Sequence, residues 1–156
     1  APKDFYMAAW LTWYYKNWPS VIRGWRSSQD AWIQFMKEGY KLHPEHFLNE
    51  DQKARFDEGK MRFVPGPSSV IENPLIIGFV GKKEQTGHPS QKPEGVFDRL
   101  LLMALGENET VFGPMAGSGT SGASAIKNGY KAILCDMNEE YIQIMEKRLN
   151  VKRIKI

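Results

Sequence analysis

The sequence predicts an α/β fold built on a parallel sheet, preceded by a mainly helical N-terminal region. Three observations carry this reading. Strand and helix patterns alternate from Pro74 onward, as in a parallel sheet with crossover helices. A glycine-rich turn, Gly117-Ser118-Gly119-Thr120-Ser121-Gly122, stands between a strand pattern and a helix pattern. All five tryptophans, Trp10, Trp13, Trp18, Trp25 and Trp32, fall before residue 33, in a region of different texture. The chain therefore divides into an aromatic-rich region over 1–73 and an α/β region over 74–156.

In the first region, Tyr6, Trp10, Trp13 and Tyr14 recur at helical spacings, which predicts a helix from Asp4 to Trp18. A second helix is expected from Ser28 to Glu38, with Ser28 or Asp30 at its cap, and a third from Asn49 to Glu58. Residues 59–74 are rich in proline and read as loop. Leu75 to Gly81 reads as a buried strand and the polar stretch after it as loop. Glu94 to Leu105 places Val96, Phe97, Leu100, Leu101 and Ala104 on one helical face. A strand over 110–112, a helix over 118–128 and a strand over 131–136 follow. A helix over 138–149 closes the chain, with Asn138 as its cap and Glu139 and Glu140 at its positive end.

The totals bound the function. With 156 residues, 42% hydrophobic and 25% charged, the chain suits one globular domain. Its longest apolar run, Pro74 to Gly81, is too short to span a bilayer. The N-terminal residues lack the apolar core of a signal peptide. These features predict a cytoplasmic, intracellular protein with no membrane partner. The single cysteine, Cys135, excludes an internal disulfide and is expected in the core. A net charge of +3 permits nucleic-acid binding without requiring it.

The glycine turn spells G-x-G-x-x-G in the strand-to-helix context that gives the pattern its meaning. Glycines allow a tight turn and close approach of backbone to a nucleotide. The helix start offers free N–H groups to an anionic part of a ligand. Asp136, after the next strand, stands where a carboxylate meets ribose hydroxyls. NAD, FAD and S-adenosylmethionine all present such a ribose, so these residues alone leave the ligand open.

A wider pattern narrows the choice. His88-Pro89-Ser90-Gln91-Lys92-Pro93, then a helix, then VFGPMAGSGTSG and ILCDMNEEY, closely resembles the amino-group DNA methyltransferases of the β motif arrangement. The resemblance covers roughly residues 75–150. It implies a Rossmann-like S-adenosylmethionine-dependent methyltransferase fold and methylation of N6 of adenine or N4 of cytosine in DNA. It implies that Phe112, Pro114, Met115, Ala116, Gly117, Ser118, Gly119 and Thr120 line the cofactor pocket. Asp136 would bind the ribose and Met137 would pack near the adenine. Ser90, Gln91 and Lys92 would sit by the methionine end, where a cation and hydroxyls can hold a carboxylate. His88 either orders that loop or is a surface histidine. Two positions depart from the family pattern: Gly113 stands where an aspartate is usual, and Met115 where phenylalanine is usual. Both predict a weaker cofactor site.

The family also carries a (D/N/S)-P-P-(Y/F/W) motif, which orients the target amino group while the aromatic stacks on a flipped base. The chain has nine prolines and no Pro-Pro pair. The nearest string, Asn73-Pro74-Leu75-Ile76, lacks the second proline and the aromatic. The catalytic residues are therefore unknown from this chain, and the fold is expected to be incomplete. A second chain or an N-terminal segment would carry the motif, and residues 1–70 would correspond to the target-recognition region. Without the motif's strand, the strand feeding the glycine loop keeps an exposed apolar edge.

Weaker candidates remain. Trp18, Arg23, Trp25 and Arg26 form the best aromatic and basic cluster for DNA. Lys147, Arg148, Lys152, Arg153 and Lys155 could meet phosphates or simply be solvated. His43, Glu45 and His46 are too few and too constrained by Pro44 to predict a metal site. The reading is a DNA amino-methyltransferase using S-adenosylmethionine. Its rivals are a non-catalytic relative acting as a DNA-binding or regulatory module, and a nicotinamide enzyme.

Overall fold

The computed structural model describes residues 3–17 and 24–154. Trp18, Arg23 and Lys155 lie outside these residues. The elements, in order, are β1 (Phe5–Tyr14), β2 (Gln29–Lys37), a 3-10 turn (Pro44–Phe47), α1 (Glu50–Asp57), β3 (Val70–Glu72), α2 (Glu94–Ala104), β4 (Thr110–Gly113), α3 (Thr120–Lys127), β5 (Lys131–Leu134) and α4 (Glu139–Leu149).

The two helices expected over 4–18 and 28–38 are strands, so the N-terminal region is built on a sheet. β1 and β2 pair antiparallel from Phe5↔Lys37 to Tyr14↔Gln29, with a bulge between Met7 and Ala9. β3 lies parallel to β1 on its other side, giving the order β2-β1-β3. Aromatic side chains suit a half-buried pleated surface, and that preference decides the segment. The helical reading arose because apolar residues occupy both faces. In β2, Trp32 and Met36 point inward while Ile33 and Phe35 stay 48% and 40% exposed. Across from Ile33, Trp10 is 60% exposed.

The strand expected over Leu75–Gly81 is a run of turns. Gly78 and Gly81 take positive φ values of 56° and 63°, which an extended strand does not accommodate. The Asn17 side chain takes over the ladder's role at Leu75. Its Nδ2 donates to Leu75 O at 2.9 Å, and Leu75 N donates to its Oδ1 at 2.8 Å.

From Glu94 onward the chain folds as the alternation predicts. β4 and β5 pair parallel from Thr110↔Lys131 to Gly113↔Leu134, joined through α3. Asn138 caps α4 by accepting from Glu140 N at 2.9 Å. Asn49 caps α1 in a reciprocal box with Gln52. α2 serves two cores. Its Val96 is buried with Trp13, Tyr15 and Ile71, and its Leu101 with Leu105 and Ala125. The other face of β4 and β5 is open: Phe112 is 64% and Ile133 57% exposed. Cys135, expected in the core, lies two residues beyond Ile133 and is exposed, because no described element covers that face. Among the described residues, no helix is long and apolar enough to cross a membrane.

Candidate functional site

The loop between β4 and α3 is fixed at both ends by backbone hydrogen bonds. Cys135 N donates to Gly113 O at 2.8 Å, and Ala116 N donates to Cys135 O at 2.9 Å. Gly117 and Gly119 turn the chain with φ of +53° and +74°, a region costly for other residues. Gly122 serves packing instead. A Cβ there would sit 2.5 Å from Leu134 Cδ1, so its absence lets α3 rest on β5. A tight turn and close helix–strand packing are two of the uses of glycine in a nucleotide-binding loop.

Asp136 anchors the same turn. Its Oδ2 accepts from Gly117 N at 2.8 Å and its Oδ1 from Asn138 N at 3.0 Å. The N–H groups of Asn138 and Gly117 hold its carboxyl below the usual carboxylate range, outweighing the opposing effect of burial. It is therefore an anion at neutral pH, with oxygen lone pairs left for further donors.

The HPSQKP segment folds against this loop across a cleft of about 430 Å³. The cleft brings together Ser90, Lys92, Phe112, Pro114, Met115, Ala116, Gly117, Ser118 and Thr120 from the expected set. Phe97 and Leu101, which the motifs do not name, line it too, as do Val111 and Ser121 of the glycine motif, which were not among the expected site residues. Phe97 and Leu101 were readable as part of the apolar face of α2, but nothing in the pattern marked them as cleft wall. Gly119, Gln91, Asp136 and Met137 do not line it. Gly119 is buried beneath the turn, and Met137 stands fully exposed beside Asp136. Gln91 is occupied in its own loop: its Oε1 accepts from Thr86 Oγ1 at 2.8 Å, and its Nε2 donates to Glu84 O at 2.6 Å.

His88 belongs to the cleft rather than the surface. Its Nδ1 accepts from Ser90 N at 3.1 Å, and its ring packs on Tyr141 at 4.2 Å between centroids. A neutral ring with an accepting Nδ1 carries its proton on Nε2. That Nε2 is buried without a hydrogen-bond partner, close over Gly117. Buried polar groups are normally hydrogen-bonded, which sets this unpaired Nε2 beside the cleft apart. Lys92 Nζ is 3.5 Å from Asp30 Oδ2 and 5.4 Å from the centre of the Trp13 ring. Lys92, His88, the hydroxyl side chains of Ser90, Ser118, Thr120 and Ser121 and an apolar floor thus line one cavity, a set suited to a carboxylate-bearing nucleoside.

The remaining candidates are placed elsewhere. Asn73 is tied to β1, where its O accepts from Trp13 Nε1 at 2.7 Å, and Pro74 to Ile76 do not line the cleft. His43 Nδ1 pairs with Glu45 at 2.9 Å and His46 Nδ1 with Leu102 O at 2.7 Å. Trp25 and Arg26 are exposed. Within the basic tail, Arg153 pairs with Glu139 at 2.6 Å, and Arg148 points into the protein.

Comparison with known proteins agrees with this geometry. A family model described as DNA methylase, of the N6/N4 type, matches residues 2–147. The chain is 30% identical over 150 residues to the type II methyltransferase M.HpaI of Haemophilus parainfluenzae, covering 93% of this chain and 46% of that protein. It is 43% identical over 85 residues to the DNA adenine methyltransferase YhdJ of Escherichia coli (strain K12), covering 54% of this chain and 28% of that protein. The chain thus spans less than half the length of these relatives. The fold of M1.HpyAVI, solved as a complex with SAM, superposes with a TM-score of 0.70 at 22% identity, over 95% of this chain and 64% of that one. The cytosine-N4-specific PvuII DNA methyltransferase superposes with a TM-score of 0.70 at 17% identity, over 97% of this chain and 54% of that one. Cleft, motif order and family match agree: this chain belongs to the N6/N4 DNA methylase family.

Proposed function

We propose that this chain forms the S-adenosylmethionine-binding part of a DNA methyltransferase that acts on the exocyclic amino nitrogen of adenine or cytosine. The observation that carries the reading is one cleft walled by both signature segments, with the buried, unpaired His88 Nε2 between them. Bound S-adenosylmethionine supplies an electrophilic methyl group on a sulfonium sulfur. The chain's own residues bind and orient it. In this reading Lys92 and Ser90 hold the carboxylate, Phe112 and Met115 screen the cofactor from water, and Asp136, bonded to the lining residue Gly117 but not itself in the lining, accepts from ribose hydroxyls. Two relatives differ in the base they name, adenine for YhdJ and cytosine for PvuII, so both bases stay within the proposal.

The chain has no Pro-Pro pair, so the residues that orient the target base are proposed to come from another segment or chain. The open face of Phe112 and Ile133 supports such a partner, since exposed apolar surface of this kind favours being covered. DNA is the proposed substrate and the cytoplasm the proposed location.

Calorimetry with S-adenosylmethionine and with NAD tests the cofactor. Binding of S-adenosylmethionine alone is expected, and binding of NAD alone overturns the reading. Radiolabelled methyl transfer to unmethylated DNA tests the activity, with and without a chain supplying the Pro-Pro-aromatic motif. Incorporation is expected when both are present. Cofactor and DNA binding with no incorporation in either mixture would assign the chain to a non-catalytic module.

A further inference from the structure

We infer that Arg148 is a positioning residue for the cofactor cleft, locking the glycine loop to the HPSQKP segment from behind; this rests on the cofactor reading above. Arg148 lies in the last turn of α4, and its side chain is 9% exposed. Its Nη1 donates to Ser118 O at 3.1 Å, to Ser118 Oγ at 3.3 Å and to Thr120 Oγ1 at 3.0 Å. Its Nη2 donates to Glu94 Oε1 at 2.8 Å. Thr120 Oγ1 passes the link on by donating to Lys92 O at 3.0 Å. One guanidinium therefore joins the glycine loop, the end of HPSQKP and the first residue of α2.

Arg148 does not line the cofactor cleft. It faces a second cleft on the far side, with Lys83, Glu84 and Lys147. Any effect on the cofactor must pass through Ser118 and Thr120, which do line the first cleft. The loop needs such a lock. Glycine at 117 and 119 makes the turn possible but leaves it loose, because glycine loses the most freedom on ordering. The planar fork of arginine can serve several acceptors at once, which a lysine ammonium cannot do with the same geometry. Glu94 supplies the charge that makes a buried cation tolerable.

The test uses the full chain and three proteins: wild type, Arg148→Lys and Arg148→Met. Affinity for S-adenosylmethionine is read by calorimetry well below the unfolding temperature, and thermal stability by circular dichroism. Arg148→Met removes several charge-assisted bonds and is expected to weaken binding about tenfold or more. Arg148→Lys is expected to recover most of the thermal midpoint but only part of the affinity. That split separates positioning from a purely structural role. An unchanged dissociation constant in folded Arg148→Lys, alongside a wild type that binds, overturns this inference alone. A wild type that does not bind overturns the cofactor reading and this inference with it. If Arg148→Met does not fold, the lysine variant carries the test.

Discussion

Gly117 opposes a side chain on two counts. Its φ is +53°, and a Cβ there would stand 3.0 Å from His88 Nε2. The left-handed conformation alone costs a non-glycine residue about 1–2 kcal/mol. Gly117→Ala is thus expected to lower stability by at least that much in a urea titration. It should also weaken S-adenosylmethionine binding, because the Gly117 N–H is aligned on Asp136 and His88 would have to move. Gly129→Ala is the control. Gly129 has a φ of +78° but no atom within 4 Å of its would-be Cβ. It carries a similar backbone cost away from the cleft and should leave the dissociation constant unchanged. Equal affinity in both variants would show that the His88–Gly117 contact does not shape the site.

Between elements, Asp98 fastens α2 to α3. Its Oδ1 accepts from Ser124 Oγ at 2.6 Å and from Asn128 Nδ2 at 3.0 Å, while its Oδ2 meets Lys127. Ser124 is 0% exposed, so its hydroxyl has no access to water as a substitute. Burial pushes the Asp98 carboxyl up, but hydrogen bonds from Lys127, Ser124 and Asn128 outweigh it and hold it below the usual range. A carboxylate depressed on folding stabilises the protein at pH values above its unfolded pKa. That contribution fades as pH falls through the lowered value. Asp98→Asn is therefore expected to cost about 1–3 kcal/mol at pH 7, and the gap to wild type should narrow as pH falls below the ordinary aspartate value of 3.8 in denaturant titrations. A gap that stays constant with pH would sink the argument. The helices that Asp98 joins were readable in the sequence, because α2 has a clear apolar face and the glycine run marks the start of α3. The cap at Asn138 was equally readable, since capping is local chemistry, whereas the cap expected at Ser28 or Asp30 fell with its helix. β1 and β2 were not, because Trp10, Ile33 and Phe35 place apolar groups on the solvent face and blur the period of two. Nor was the inward course of Arg148. Its partner Glu94 lies 54 residues away, and only the fold brings them together.

At the scale of the whole molecule, Trp13 ties the N-terminal sheet to the C-terminal α/β half. It is 0% exposed and packs with Tyr15, Ile71 and Val96, the last from α2. Its neighbour Trp32 meets Phe97, a cleft residue, edge-on at 5.5 Å. The hairpin therefore backs the cleft wall, and the two regions share one core. Shared burial of this kind makes unfolding cooperative. The distribution of probes allows a direct test. Trp10, Trp13 and Trp32 lie in β1 and β2 and all five tryptophans precede residue 33, so fluorescence reports the N-terminal region. Helices α2, α3 and α4 all lie beyond residue 93, so circular dichroism at 222 nm reports mainly the other half. The two denaturation curves are expected to coincide in wild type. Trp13→Ala should shift both together, by about 3–5 kcal/mol as for a large buried aromatic. It should also weaken cofactor binding, since the Lys92 ammonium loses the ring it lies over. If fluorescence shifts while the helical signal keeps its midpoint, the N-terminal sheet and the C-terminal α/β half are separate folding units, and the hairpin is an attachment rather than a wall of the cleft.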